Sequence, residues 1–576
     1  MGDFGLRSRG NSVSGLADPS DSRPLSMRCL AHRQLGATWN NFPQSQPPVK
    51  PTWLCRPECI ADVVAIVQAA ERNRLHIHAF GSSWSFSDCA FDKTPNSPTC
   101  LIDTTMLTGI GPLPPGVMKN PLTPNLWYVE CGASIQDLYT TLDASSQALQ
   151  TMGGASGQTI AGAVSTGTHG ADYKIPPIAD SVLAIHLVGG AGVQFWIEPT
   201  GGITNPAALH AGLANGVDPG NIIYDDDIFN SCLVSIGVMG VIYAFVLQAR
   251  DQYPLVEYTE PKTWQWVDTN FPTLLDPKGR FLQLAVSPYP DPDGTNTCLV
   301  TTRVEVPSAA GACTKADPGP VMDELTSRLE HAAAGKDPGA TVLTGGLSLA
   351  VVYANLAKIA SIGTSDQDLV DTINALIPDY RSTLESEYVN LMKTILPPFR
   401  TCSGKSYEVM DSNRRLKNGT NGSPDKPPSP ALSFEVFFPA DVDNGNKASW
   451  VSYVSEALRT IQNAENTFLV GYVSVRFMGK TRALLGMAQW NPTCSVEISV
   501  LGGVNNLPGL LATLLSNSKK YGALQHWGQL LDKGVDANAY PNVGRWRAAY
   551  AEMNRRSNLS WFQTDLSRRS GLTLRS

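Results

Sequence analysis

The stretch TMGGASGQTIAGAVSTGTHGADY, residues 151–173, constrains the fold more than any other part of the chain. It contains six glycines, has no charged side chain before Asp172 and includes one histidine, His169. It is too small and apolar for a solvated loop, and too rich in glycine for an ordinary helix or strand. Since glycine lets a backbone approach a partner closely, we expect the main chain of this stretch to pack against a ligand or another segment.

A second segment of small residues is GSSWS, residues 81–85, which directly follows the predicted strand LHIHAF. Small residues let backbone N–H groups converge on an anion, and a diphosphate is the usual one. Neither segment contains G-x-G-x-x-G between a strand and a helix, or G-x-x-x-x-G-K-[ST]. The residues alone therefore leave two interpretations open, a cofactor diphosphate site and tight structural turns.

Composition excludes several classes of function. The 576 residues carry a formal net charge of −7, and the chain has no Lys/Arg stripe with interleaved aromatics, so we expect no nucleic-acid partner. The eleven cysteines are scattered and have no metal-ligand spacing, which predicts reduced thiols and no metal site. The start of the chain lacks an apolar signal segment, so we expect a cytoplasmic protein, with a mitochondrial location as the alternative because of its Arg/Ser bias.

Two uncharged runs, residues 232–249 and 340–357, just reach the length of a membrane span. Both mix Gly with Ser, Thr or Asn and lack basic flanks, so we expect them to be buried core of a soluble protein.

The pattern predicts an α+β chain with two large domains. We expect a disordered tail over residues 1–45, a first domain over 46–255 and a second over 256–505. Helical spacing of apolar residues begins at Ile60, and SVLAIHLVGGAGVQFWIEP has the pattern of two strands joined by a glycine turn. Alternating segments such as GYVSVRFMG and TCSVEISVLGG predict an antiparallel sheet backed by helices in the second domain.

The order HAFGSSWSFSD, VECGASIQDLYTTL, GGASGQTIAGAVSTGTHGAD, LVSIGVMGVIYAFVL resembles the PCMH-type FAD-binding domain of the vanillyl-alcohol oxidase superfamily. It is most similar to the sugar and aldonolactone oxidase branch, whose W-x-N-W opening resembles TWNNFPQ and whose C-terminal H-W-[AG]-K resembles QHWGQ. The resemblance implies a two-part FAD-binding domain over 46–255 and a substrate (cap) domain over 256–505. Residues 506–576 would return to the FAD-binding domain.

The resemblance also implies which residues bind FAD. The pyrophosphate would lie on residues of the first segment: Gly81, Ser82, Ser83 and Ser85. The flavin ring and ribityl chain would lie on residues of the long stretch, with His169 shaping the site: Gly153, Gly154, Ser156, Gly157, Gly162, Thr166, Thr168 and Gly170. The adenine end would be held by the backbone of Gly240, Val241 and Ile242.

Many members of the superfamily tether FAD covalently, and this chain departs from their pattern. Trp84 occupies the position of the tethering histidine, and Ala155 occupies that of the tethering cysteine found in some relatives. We therefore predict non-covalent FAD. Cys131 is a further candidate tether, but its neighbours are typical of a plain strand-to-helix turn.

The catalytic residues implied by the resemblance also differ in part. In SVRF, Arg476 matches the arginine of the family's E-x-R strand, while Ser474 replaces the glutamate. Arg476 could stabilise charge near the flavin or form a surface ion pair. Glu497 lies in an apolar strand, where it could pair with Arg476 and act as a general base or substrate anchor, or form a structural salt bridge.

Glu435 and Gln529 are two further candidates for a role in catalysis. Glu435 in SFEVFFPAD has weaker support as a base. Gln529 replaces the lysine of H-W-[AG]-K, so a hydrogen-bond donor remains but the charge is lost, which casts doubt on an aldonolactone substrate. His526 is expected to be structural or to lie beside the flavin.

The resemblance predicts an FAD-dependent oxidoreductase that takes a hydride from a CH–OH group of a sugar, polyol or aldonolactone-like substrate to flavin N5. O2 or another acceptor would then take the electrons. A sterol or other bulky-alcohol oxidase is one alternative. A flavin-binding protein with little turnover is the other, because both the glutamate and the lysine of the family's site are missing.

Overall fold

The computed structural model describes residues 37–43, 45–92, 97–119, 122–275, 279–308, 367–395, 400–410, 431–440 and 448–573. Most of the predicted N-terminal tail and the uncharged run 340–357 lie outside these residues. Within them the strands form sheets of three, six, two and eight strands. The chain is thus α+β, as predicted.

The first sheet is parallel and contains β1 (Trp53–Cys55), β2 (His76–Phe80) and β3 (Thr99–Asp103), with β3 in the centre. Helix α1 (Ile60–Arg72) connects β1 to β2, begins at the residue where the apolar spacing begins, and buries Val63, Ile66, Val67 and Ala70. The GSSWS segment leaves this sheet directly after β2.

The second sheet has the order β4-β5-β10-β7-β8-β9. Its strands are β4 (Ile110–Pro112), β5 (Leu126–Glu130), β7 (Val182–Val188), β8 (Gln194–Glu198), β9 (Ile222–Tyr224) and β10 (Val241–Gln248). Short strands β6 (Gln147–Ala148) and β11 (Arg250–Asp251) pair with each other. The associated helices are α2 (Ile135–Ala144), α3 (Ile160–Thr166), α4 (Pro206–Ala211) and α5 (Asp226–Leu233). The uncharged run 232–249 forms the end of α5 and the central strand β10, which is buried in the core.

The third sheet has the order β15-β12-β14-β13-β17-β18-β16-β19. Its strands are β12 (Pro254–Thr263), β13 (Phe281–Val286), β14 (Thr297–Glu305), β15 (Arg400–Lys405), β16 (Ala431–Pro439), β17 (Gly471–Met478), β18 (Thr493–Leu501) and β19 (Leu524–Gln525). The helices of this part of the chain are α6 (Trp264–Asn270), α7 (Gln367–Ile395), α8 (Ser406–Met410), α9 (Ser449–Gln462) and α10 (Leu507–Ser518). All neighbouring strands in this sheet, called the cap sheet below, are antiparallel.

The last part of the chain joins both halves of the molecule. Strand β19 pairs with β16 at the edge of the cap sheet. Beyond it, α11 (Val543–Ser557) and α12 (Asp565–Arg569) lie against the first half of the chain. For example, Trp546 Nε1 donates to the carbonyl oxygen of Ser231 in α5 at 3.1 Å. Residues 506–576 therefore contribute to the cap sheet before they cross to the other sheets.

The two faces of the cap sheet have different chemistry. Side chains alternate along a strand, so Val473, Val475 and Val496 pack into one apolar core with α9 and α10. The opposite face carries polar side chains, which include Ser474 and Glu497. This polar face is directed toward the part of the chain that contains the glycine-rich stretch.

Two findings bear on the environment of the chain. In the described ranges, no helix is both long and apolar enough to cross a membrane. The described cysteines identified as free thiols are Cys55, Cys59, Cys89, Cys100, Cys131, Cys232, Cys298 and Cys494.

Candidate functional site

The structure brings the two glycine- and serine-rich segments together. The N–H group of Thr159 donates to Ser82 Oγ at 3.0 Å. A Cβ at Gly81 would lie 2.0 Å from Thr159 Oγ1, and one at Gly157 would lie 2.5 Å from Trp84 Cζ2. There is no room for larger residues at either glycine, so the two main chains are closely packed.

The end of the long stretch is equally constrained. A Cβ at Gly170 would lie 2.8 Å from the carbonyl oxygen of Met152 and 2.6 Å from Thr151 Oγ1. Asp172 then accepts from Thr151 Oγ1 at 2.6 Å and pairs with Arg280, at 2.6 Å from its Nε, just before β13 of the cap sheet. The C-terminal end of the glycine-rich stretch is thereby attached to the cap sheet.

The third predicted FAD segment lies beside the same region. Gly240, at φ +125°, precedes Val241 and Ile242 at the start of the central strand β10. The loop before it contacts α3, because the Ile236 N–H donates to the Ser165 carbonyl oxygen at 3.1 Å. All three predicted segments therefore meet around α3.

The two predicted tether positions have no nucleophilic side chain, and the structure shows what surrounds one of them. The Trp84 ring stacks on Phe42, with ring centroids 5.0 Å apart and an interplanar angle of 4°. Cys131 is fully buried, and burial raises the pKa of its thiol well above the usual range. A neutral, buried thiol is a poor nucleophile.

The three predicted catalytic residues are brought together on the polar face of the cap sheet. Arg476 Nη2 forms an ion pair with Glu497 Oε2. Glu497 Oε1 also accepts from Ser433 Oγ at 3.1 Å and from Ser499 Oγ at 3.0 Å. Gln529 Nε2 lies 3.4 Å from the same oxygen. The carboxylate of Glu497 is thus surrounded by donors and holds Arg476 in place.

A second cluster, which sequence reasoning did not assemble, surrounds Glu435. Its Oε1 lies 3.1 Å from His169 Nε2 and 3.9 Å from Arg476 Nη1, and its Oε2 lies 4.0 Å from His526 Nε2. Glu435, His169 and His526 are all buried. The available signal was a carboxylate within the apolar run SFEVFF, but nothing in the local pattern identified the two histidines as its neighbours.

The residues of this cluster shift the pKa values of Glu435, Arg476 and His526. Burial alone would raise the pKa of Glu435, but His169, Arg476 and His526 lower it below the usual range. Although burial acts in the opposite direction, Glu497 and Glu435 raise the pKa of Arg476. Burial lowers the pKa of His526 to about 4, despite the opposing effect of Glu435. Glu435 and Arg476 are therefore charged at neutral pH, while His526 is neutral.

Glu435, His169 and His526 lie close enough, with ligand atoms within 4.8 Å, to raise the question of a metal ion. The Gly528 N–H donates to His526 Nδ1 at 3.0 Å, so the neutral ring carries its proton on Nε2, the nitrogen that faces Glu435. Binding a metal through Nε2 would require removal of that proton. The guanidinium of Arg476 would also repel a cation here.

The site fits FAD. Most side chains of the two Gly- and Ser-rich segments are small, so main-chain N–H groups there can approach a diphosphate and a flat ring closely. Among the described residues, buried oxygens without a hydrogen-bond partner include Glu435 Oε1, Gln529 Oε1 and Ser495 Oγ. Such atoms are costly unless a ligand satisfies them. They lie on, or directly beside, the cap sheet that would cover the flavin.

Comparison with known proteins supports this cofactor. Residues 51–198 match the family described as FAD binding domain. L-galactono-1,4-lactone dehydrogenase, mitochondrial, of Brassica oleracea is 23% identical over 45% of this chain and 36% of its own length. D-arabinono-1,4-lactone oxidase of Eremothecium gossypii is 24% identical over 39% of this chain and 36% of its own.

Solved structures share the fold over nearly the whole chain. A solvent-stable cholesterol oxidase aligns with a TM-score of 0.61 and 13% identity, covering 94% of this chain and 98% of its own. Cholesterol oxidase from B. sterolicum aligns with a TM-score of 0.61 and 12% identity, covering 93% and 97%.

The matches with the curated lactone enzymes span only about a third of those proteins. Residues 51–198 of the chain therefore match an FAD binding domain, the chain shares its fold with cholesterol oxidases, and its relatives include aldonolactone oxidases and dehydrogenases.

Proposed function

We propose that this chain is an FAD-dependent oxidoreductase that oxidises a CH–OH group of a polar small molecule, such as a sugar, polyol or aldonolactone-like compound. The observation that carries the proposal is the position of Arg476. It lies on the polar face of the cap sheet, 3.9 Å from a carboxylate that contacts His169 of the glycine-rich stretch. Negative charge develops during hydride transfer at the junction between the glycine-rich stretch and the cap sheet. A fixed cation at this junction stabilises that charge.

The predicted residues have distinct parts in this proposal. Bound FAD supplies the hydride acceptor, N5. Arg476 stabilises the negative charge on the substrate oxygen as the hydroxyl proton passes to solvent and the hydride leaves the carbon. Glu497 orients Arg476 through their ion pair, and Gln529, whose Oε1 has no hydrogen-bond partner among the described residues, orients the substrate.

A bulky sterol is the second candidate substrate, suggested by the fold shared with cholesterol oxidases. The polar face of the cap sheet favours a hydroxyl-rich substrate instead. Ser495 lies on this face opposite Arg476, and its Oγ has no hydrogen-bond partner among the described residues. A hydroxyl-rich substrate can satisfy this atom and Gln529 Oε1, whereas the hydrocarbon rings of a sterol cannot.

We further propose that FAD is held without a covalent bond, that O2 or another acceptor reoxidises it, and that the protein is cytoplasmic. Trp84 and Ala155 at the two tether positions support the first of these statements.

A substrate panel tests the proposed function. The purified protein is mixed anaerobically with polyols, aldonolactones, hydroxy acids and sterols, and the flavin absorbance is followed. We expect bleaching by a polyol or sugar-derived alcohol and peroxide formation if O2 is the acceptor. Bleaching by sterols alone would favour the second candidate. A flavin that no alcohol reduces would leave a binding protein with little turnover.

A further inference from the structure

Glu435 and Glu497 stand directly opposite each other on the neighbouring strands β16 and β18, and Ser474 continues the same row on β17. Residues directly opposite in antiparallel strands have their side chains on the same face. The row therefore has a serine where the family's E-x-R pattern has its glutamate, followed by two carboxylates on the next two strands.

The two carboxylates differ in how many hydrogen bonds and ion pairs their oxygens form. Glu497 pairs with Arg476 through Oε2 and accepts from two serine hydroxyls through Oε1. Its acceptor capacity is used within the protein, as expected for a group that fixes the position of an arginine.

Glu435 Oε1, in contrast, accepts no hydrogen bond from any described residue, although Glu435 is only 2% exposed. His169 Nε2 lies 3.1 Å away, but this ring nitrogen and the oxygen do not have hydrogen-bond geometry. A buried carboxylate oxygen without a donor is costly, so its presence in the fold calls for a partner.

The surroundings of this oxygen indicate the kind of partner. His169 belongs to the stretch expected to line the flavin, and Arg476 belongs to the cap sheet, so Glu435 Oε1 lies between the cofactor stretch and the cap. A substrate must occupy the same junction to reach the flavin. The protonated Nε2 of His526 and the nearby guanidinium disfavour a metal ion, whereas a hydroxyl group would satisfy the free oxygen.

We propose that Glu435 Oε1 accepts a hydrogen bond from the reacting hydroxyl group of the alcohol. The proposal rests on the function proposed above and assigns to Glu435 the anchoring role that sequence reasoning considered for Glu497. It places the substrate oxygen near Arg476, whose Nη1 is 3.9 Å from Glu435 Oε1. Because His169, Arg476 and His526 lower its pKa, Glu435 is a charged acceptor at neutral pH.

The test compares an alcohol with its methyl ether. The probes are the alcohol that bleaches the flavin in the panel and the same molecule with the reacting hydroxyl methylated, which cannot donate. Dissociation constants are measured from the perturbation of the oxidised flavin spectrum, with anaerobic rapid mixing for the alcohol. Wild-type protein should bind the alcohol about 10- to 100-fold more tightly than the ether, as expected for a hydrogen bond to a charged group.

Glu435→Gln and Glu435→Asp should each lose most of this preference, the first by removing the charge and the second by withdrawing the oxygens by one methylene. Asp keeps the negative charge of the cluster and so provides a second variant in case the Gln variant misfolds. Glu497→Gln is the matched control: it should slow flavin reduction by misplacing Arg476 but keep the preference for the alcohol. FAD content is measured for every variant.

The outcomes separate the two proposals. Equal binding of alcohol and ether by wild type, or an unchanged preference in both Glu435 variants, overturns the anchoring role while leaving the oxidoreductase function in place. If the Glu435 variants lose FAD affinity but keep the preference for the alcohol, Glu435 Oε1 contacts the flavin. This result also overturns the anchoring role. A panel in which no alcohol reduces the flavin overturns both proposals.

Discussion

Arg476 and Glu497 form an ion pair on neighbouring strands of the cap sheet, one step out of direct register. Arg476 stands opposite Ser495, and Glu497 stands opposite Ser474. The diagonal arrangement leaves the second nitrogen of the guanidinium, Nη1, directed toward Glu435 at 3.9 Å. One arginine thus separates two carboxylates that would otherwise repel each other across the strands.

Arg476→Met should lower the rate constant of flavin reduction by the panel substrate about 10²- to 10³-fold, the effect of removing one group that stabilises developing charge. Stopped-flow absorbance measures the rate. Arg545→Met is the control, because Arg545 forms an exposed surface pair with Asp227 and such pairs contribute little. A wild-type rate in the Arg476 variant would contradict the proposed role.

Gly170→Ala should destabilise the protein and reduce bound FAD, because the new Cβ would lie 2.8 Å from the Met152 carbonyl oxygen and no flexible side chain can absorb that contact. We expect a loss of about 1–3 kcal/mol in the free energy of unfolding, typical of overpacking. Gly544→Ala, in α11 with open space around it, should be neutral or slightly stabilising. Equal stability of the two variants would argue against a constrained backbone at Gly170.

Acid precipitation should separate the cofactor from the polypeptide. Trp84 and Ala155 offer no nucleophile, and the thiol of Cys131 is buried with a raised pKa. The supernatant should contain FAD, identified by its absorbance and mass, and the pellet should be colourless. If the pellet stays yellow, peptide mapping would locate the bond and the non-covalent prediction would be wrong.

Stability should fall on acidification. Burial lowers the pKa of His78 to about 3 and the pKa values of His186 and His526 to about 4. Because their ordinary value is 6.5, the unfolded chain binds more protons than the folded chain between these limits, and acid favours unfolding. In this window each histidine should lower the free energy of unfolding by about 1.4 kcal/mol for each unit by which the pH falls.

Urea unfolding at several pH values between about 7 and about 4.5 measures that slope. His186→Gln should make the curve less steep, because this position then no longer binds a proton on unfolding. His186 lies within the second sheet, on β7, away from the cap sheet, so the variant tests the linkage independently of the candidate site. An identical slope in the variant would contradict the assignment.

Local features were readable from the sequence. Helix α1 begins at Ile60 as the apolar spacing predicts, and β7 and β8 flank the glycine turn as expected. The glycine-rich stretch also indicated, by itself, a main chain in close contact with a partner. These predictions succeed because periodicity and glycine content act within a few residues of the positions that they describe.

The cluster around Glu435 depended on the tertiary structure. Alternation along SFEVFF shows that Glu435 lies on the opposite face from Phe434, but it does not show which strands stand beside it. The order β17-β18-β16, with Glu497 opposite both Ser474 and Glu435, arises from pairing of strands that are distant in sequence. A shift of one residue in either pairing would turn a whole strand to the other face.

What the sequence determined was therefore the cofactor-binding domain and the alternating, two-faced character of the cap strands. Only the tertiary structure decided that the oxygens of Glu497 have hydrogen-bond partners, whereas Glu435 Oε1 has none among the described residues. That difference depends on how Glu435 lies relative to His169 and His526. The three residues come from three separate segments of the chain. Side-chain chemistry is encoded locally, but the satisfaction of a buried hydrogen-bond acceptor is a property of everything packed around it.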